Sequence, residues 1–141
     1  MPGLVGFTET SSQAITNATL EKMRESIIYS DSYAKDALFS QDTVFCSRAH
    51  LGTNNPNGQP YQSNEIFVWM EGEFYNRAEL ENLLNIKCSS DPEFLFNIYK
   101  SGQFTDYLSK IDGFYVAVVF NKANQKLHLI SDRYGFKPLY W

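Results

Sequence analysis

The sequence is short of cysteine, histidine, long apolar runs and surplus positive charge, and each shortage excludes a class of function. Its 141 residues hold 2 cysteines, Cys46 and Cys88, with no Cys-x-x-Cys spacing. A dense disulfide framework is therefore ruled out, and a reducing compartment, the cytoplasm, is expected. The 2 histidines, His50 and His128, stand in different segments without a His-x-x-x-His or Cys/His pattern, so no metal centre is expected. No stretch approaches the ~20 apolar residues that span a bilayer. The opening Met-Pro-Gly-Leu-Val-Gly-Phe lacks the basic run and apolar core of a secretory signal, so no membrane partner is expected. Lys and Arg number 12 against 16 Asp and Glu, a net charge of −4. Scattered basic residues in an acidic chain offer no stripe for a phosphate backbone, and nucleic acid is not an expected partner.

Aromatic residues are plentiful: 2 Trp, 9 Tyr and 11 Phe supply large apolar faces. A chain of this length buries roughly 70% of its unfolded surface, enough for a core without staples. Leu4 to Thr8 reads as a buried strand and Thr16 or Asn17 as the cap of a helix carrying Leu20, Met23, Ile27 and Ile28, ending near Ser30. Capping is also the reading given to Asn17-Ala18-Thr19, formally a glycosylation sequon. Leu38 to Ser40 and Thr43 to Ser47 suit a hairpin, and Gly52 to Pro60, almost all turn formers, is a loop. Ile66 to Met70 is an apolar strand. Arg77 to Leu84 is helical with Asn76 as cap, and a helix follows Asp91 with Pro92 as its first residue and Gly102 as its stop. Phe114 to Phe120 and Lys126 to Ser131 form the clearest hairpin. Without a glycine-rich phosphate loop or regular βαβ alternation, this order predicts a layered α+β domain.

Residues alone argue weakly for catalysis. Cys46 and Cys88 read as small buried apolar residues. Asp31, Asp36, Asp42, Asp91 and the Glu71/Glu73 pair are carboxylates on polar segments, where solvation is the usual fate. Two segments stand out, Trp69-Met-Glu-Gly-Glu-Phe-Tyr-Asn76 and Ser131-Asp-Arg-Tyr-Gly-Phe-Lys-Pro-Leu-Tyr-Trp141. Each is expected to run a strand with charged residues and a glycine into a tight irregular turn, where fixed side chains and amides point at a ligand.

These segments resemble the N-terminal glutaminase domain of asparagine synthetases, a class II glutamine amidotransferase. Glu71-Gly72-Glu73-Phe74-Tyr75-Asn76 matches its Asn-Gly-Glu-Ile-Tyr-Asn, and Ser131 to Trp141 matches its Arg-Asp-Arg-x-Gly-x-x-Pro-Leu-Tyr-Tyr. Asp112-Gly113-Phe114, Gly58-Gln59-Pro60 and Gly3-Leu4-Val5-Gly6 match three further elements in order. The resemblance implies a four-layer α/β/β/α sandwich of antiparallel sheets of the N-terminal-nucleophile type. It implies that residues 1–141 are the front part of a longer asparagine-synthetase-like chain, with an ATP-using domain in cis or trans. ATP and Mg would serve that domain, and no cofactor is expected in this one. A homodimer is compatible with the resemblance.

By the same resemblance the nucleophile belongs at position 2, where a cysteine thiol attacks the glutamine amide and its α-amino group acts as base. This chain has Pro2 there. The oxyanion hole uses an Asn side chain and the next Gly amide; here the pair is Glu71 and Gly72. Arg48 corresponds to the arginine that grips the substrate α-carboxylate, Asp91 to the aspartate that receives the α-amino group, and Gly72 and Glu73 line the same pocket. The alternative for Arg48 and Asp91 is a pair of ordinary surface charges. The expectation is a degenerate domain supporting an amide-forming module. Its alternatives are an amino-acid sensor without turnover and an amidohydrolase using the Pro2 amine once Met1 is removed.

Overall fold

The computed structural model of the chain describes residues 2–8 and 13–141, the side chains of 13–15 excepted. It divides into two compact units, residues 1–59 and 60–141. The first contains β1 (Gly3–Thr8), α1 (Gln13–Ser26), β2 (Ala34–Lys35), β3 (Phe39–Gln41) and β4 (Val44–His50). The second contains β5 (Tyr61–Gln62), β6 (Ile66–Phe74), α2 (Arg77–Leu84), α3 (Asp91–Lys100), α4 (Phe104–Leu108), β7 (Gly113–Asn121) and β8 (Lys126–Ser131). All strand pairs are antiparallel, and each unit adds helices to its own sheet, so the chain is α+β as its pattern predicts.

In the first unit β4 is the central strand, fully buried along its length. On one side it pairs with β1, from Gly3 opposite Ala49 to Thr8 opposite Val44; on the other it takes β2 and β3. The predicted β3/β4 hairpin is present. Its turn works because Asp42 adopts a φ of 53°, a conformation Asp and Asn reach more easily than other side chains. Gly6 lets β1 lie close, since a Cβ there would come within 2.6 Å of the Phe45 carbonyl oxygen. Phe7 stacks on Phe45 across the pair at 4.9 Å. Helix α1 packs on β1 and β4 with Leu20 fully buried. It begins at Gln13 and ends at Ser26, so Thr16 and Asn17 lie inside it and do not cap it, and it stops a turn before Ser30. β1 is half-buried, as an edge strand should be, and not enclosed as its apolar run predicts.

In the second unit the sheet order is β5-β6-β7-β8. Val68, Met70 and Phe74 of β6, with Tyr115, Ala117 and Val119 of β7, form one core with Leu80, Phe94, Leu95 and Ile98 from α2 and α3. Each Val, Leu, Ile, Phe or Met among them contributes about 1.5–3 kcal/mol by leaving water. Helix α3 starts at Asp91, one residue before the predicted Pro92: the Ser90 hydroxyl accepts from the Glu93 amide, Pro92 occupies the first turn, and Gly102 at φ 77° follows its end. Asn76 precedes α2 but makes no side-chain cap; it accepts from the Asp112 amide and donates to the Lys110 carbonyl. Five-residue α4 carries no periodic signal and escapes a sequence reading; Phe104 anchors it against Tyr99 and His128. Among the described residues no helix is long and apolar enough to cross a membrane.

Candidate functional site

In the first unit the candidate residues gather at one end of the sheet. Pro2 precedes β1, whose Leu4 stands opposite Arg48, so the nucleophile position and the arginine share that end. Arg48 is no surface charge: it is fully buried. Its Nε donates to Asp36 Oδ2 at 2.7 Å, and its Nη1 and Nη2 donate to the carbonyls of Asn55 and Asn57, each at 3.0 Å. Those carbonyls belong to the loop predicted over Gly52 to Pro60, which Arg48 thereby fastens to β4. Asp36 is itself buried, contrary to the expectation of solvation, because the Arg48 guanidinium and the His50 imidazole face it. Its second oxygen lies 3.4 Å from His50 Nε2. Burial and the neighbouring Arg48 charge hold the His50 pKa below its ordinary value despite Asp36. Cys46 lies on the same strand opposite Gly6; burial pushes its thiol far up, so it is a packing residue and no nucleophile.

In the second unit Glu71, Gly72 and Glu73 lie within unbroken β6, opposite Val116, Tyr115 and Phe114. The turn expected there is absent, because pairing with β7 continues through Phe74. What the glycine supplies is closeness: Gly72 has a φ of 114°, and a Cβ would collide with the Phe114 carbonyl oxygen. Glu71 is buried, and its Oε1 lies 3.5 Å from Lys137 Nζ; the ammonium also sits over the Phe114 ring at 5.2 Å. Glu73 is half-buried. Asp91, buried at the start of α3, accepts from the Phe74 amide at 3.1 Å and pairs with Arg77 Nε at 3.0 Å. The α3 start and the β6 end are thus brought together through Phe74 and Asp91.

Lys137 is placed by the second of the predicted turns, which is present. Beyond β8 the Asp132 side chain accepts from the amides of Tyr134 and Phe136 on Oδ1, each at 3.0 Å, and of Lys137 on Oδ2 at 2.9 Å. Gly135 at φ 64° donates back to the Asp132 carbonyl. Burial raises the Asp132 pKa, but these amides outweigh it and hold the carboxyl below its usual range. Lys137 is the residue beside Glu71 that sequence reading missed. Its signal was present, since it falls within the Ser131 to Trp141 match, but nothing in the sequence tied it to Glu71.

The arrangement presents buried, charge-balanced side chains and no side-chain nucleophile at position 2. Among the described residues no group of three or more His, Cys, Asp and Glu is arranged to hold a metal. A groove of about 660 Å³ at the ends of α2 and α3, floored by Leu84, Ile86 and Ile98, contains none of the candidate residues.

Antiparallel sheets, each packed with helical structure of its own unit, make the chain an α+β domain. The family model described as a glutamine amidotransferase domain matches residues 46–141, and the chain belongs to that family. It is 32% identical over 100 residues to a probable glutamine-hydrolyzing asparagine synthetase of Acanthamoeba polyphaga mimivirus, covering 69% of this chain and 18% of that one. It is 27% identical over 147 residues to the glutamine-hydrolyzing asparagine synthetase 2 of Bacillus subtilis, covering 100% of this chain and 20% of the relative. The chain therefore spans about a fifth of the length of these relatives.

Proposed function

We propose that this glutamine amidotransferase domain has lost glutaminase turnover and supports an ATP-dependent, asparagine-synthetase-like amide-forming module. One feature supports the reading: by the resemblance, Pro2 and Glu71 stand where the family has its nucleophile and its oxyanion-hole asparagine. Thioester formation needs a thiolate at position 2, and proline has no side-chain nucleophile to offer. A carboxylate at position 71 repels the negative charge that develops on the amide oxygen, and losing even one donor there costs ~10²- to 10³-fold. The burial of Glu71 beside Lys137 supports the reading, because the pair fills that position with a stable ionic contact. The module would draw on free ammonia or another amine, with ATP and magnesium belonging to its reaction. The cytoplasm suits two free, buried thiols.

Ammonia release from glutamine tests the proposal. The wild-type chain is expected to release none above background at any glutamine concentration, while Pro2→Cys/Glu71→Asn gains slow hydrolysis at glutamine concentrations high enough to overcome a weak clamp, and Pro2→Cys alone does not. Release by the wild type at a rate matching that of the double variant would overturn the reading.

A further inference from the structure

Asp36 stands at Arg48 in the manner of a bound carboxylate. Its Oδ2 takes the Nε edge of the buried guanidinium at 2.7 Å, the charge-assisted contact through which arginine grips carboxylates. Its Oδ1 faces His50 Nε2 at 3.4 Å. His50 Nδ1 accepts from the Gly52 amide at 3.1 Å, so a neutral imidazole carries its proton on Nε2, directed at Asp36. The backbone of Asp36 is pinned as well: its amide donates to the Arg48 carbonyl at 3.0 Å, and its own carbonyl accepts from Arg24 Nη1 at 2.7 Å. A side chain fixed by two backbone bonds and two cationic or donor partners does not swing away to admit a competitor. A second carboxylate brought to the same edge would meet Asp36 as a like charge in a water-poor site, where repulsion is weakly screened.

We propose that Asp36 is the specificity-determining residue of the Arg48 clamp: it is the clamp's resident carboxylate, and it turns away the α-carboxylate of a free amino acid. The inference rests on the reading of Arg48 as the clamp of a non-hydrolysing glutaminase-type domain. It goes further by stating what fills the clamp, and it excludes the amino-acid sensor as a role of this site.

Calorimetric titration of the whole chain with L-glutamine decides it, using wild type, Asp36→Asn and Asp36→Asn/Arg48→Lys. The wild type is expected to give no saturable heat at millimolar glutamine. Asp36→Asn keeps the shape but frees the guanidinium edge, and it should bind at least about tenfold more tightly than wild type. The added Arg48→Lys should remove that gain. Saturable binding by the wild type, or Asp36→Asn binding no more tightly, overturns the inference. Should Asp36→Asn fail to fold, the ¹⁵N resonance of Arg48 Nε in the wild type replaces it: no shift on adding glutamine supports resident occupancy, and a saturable shift overturns it. Ammonia measured on the same samples separates the two proposals. Wild-type binding without ammonia sinks only the inference, whereas wild-type ammonia release sinks the loss of turnover.

Discussion

Replacing Lys137 by methionine tests whether the Glu71 position is held by its charge partner. Both side chains are under a tenth exposed, and the ammonium lies 3.5 Å from Glu71 Oε1 and 5.2 Å from the Phe114 ring centre. Methionine keeps most of the stem's apolar packing and deletes the charge, withdrawing the Lys137 ammonium from a buried carboxylate. Breaking such a pair from one side costs about 3–5 kcal/mol, against well under ~1 kcal/mol for an exposed bridge. With a urea dependence of about 2 kcal/mol per molar, the unfolding midpoint should fall by roughly 2 M. Glu71→Gln/Lys137→Met removes both charges and should recover to within about 1 kcal/mol of wild type. The readout is urea unfolding followed by tryptophan fluorescence. A single-variant shift below about 0.5 M, or a double variant no better than the single, would refute the account of a buried, mutually dependent pair.

Three further outcomes follow from the same geometry. Gly72→Ala places a Cβ against the Phe114 backbone at a φ of 114°, so it should cost at least ~3 kcal/mol and abolish the native β6/β7 register, read by amide exchange of Tyr115. Asp132→Ala removes the acceptor of three amides and should cost about 3 kcal/mol or more, with enhanced proteolysis after residue 131; wild-type stability would contradict the turn. Burial depresses the folded pKa of both His50 and His128, with the Arg48 and Lys126 charges adding to it, so the unfolded chain takes up protons first. Their stabilisation is present above the unfolded value of about 6.5 and is lost as pH falls through the folded values. Urea midpoints should therefore drop between pH 7.5 and 5, above the titration of the carboxylates. A His50→Gln/His128→Phe variant should drop less, and an equal drop would discount the histidines.

Where local chemistry dictates shape, the sequence could be read. The start of α3 follows from Ser90, Pro92 and Glu93 within four residues, and the β7/β8 hairpin follows from its alternating run. The turn after Ser131 follows from Asp132 and Gly135. Asn76 shows the limit: as a residue type it suits a cap, yet its amide group goes to Lys110 and Asp112, more than thirty residues away, a demand set by tertiary packing. Asp36 shows it more sharply. An aspartate in Tyr33-Ala-Lys-Asp-Ala-Leu-Phe39 has no partner in its own segment to signal burial, and only pairing of β2 with β4 brings it to Arg48 and His50. The same holds for Lys137, separated from Glu71 by 66 positions and joined to it only once β6, β7 and the Asp132 turn are built.

The two positions on which the proposed loss of turnover rests have different physical standing. Pro2 precedes an edge strand and has no charge to balance, so a cysteine can enter there with little consequence for the rest of the fold. Glu71 is different, because a buried carboxylate needs compensation, and an asparagine in its place takes a buried negative charge away from the Lys137 ammonium. Glu71→Asn should therefore destabilise the domain in its own right, and adding Lys137→Gln should relieve much of that loss. Restoring the nucleophile is a one-residue problem; restoring the oxyanion donor is a two-residue problem. A Pro2→Cys/Glu71→Asn chain that hydrolyses glutamine slowly and melts early, and improves in stability when Lys137→Gln is added, would show that the pair behaves as one unit. If Glu71→Asn alone leaves the melting temperature unchanged, the carboxylate and the lysine are independent and that argument fails.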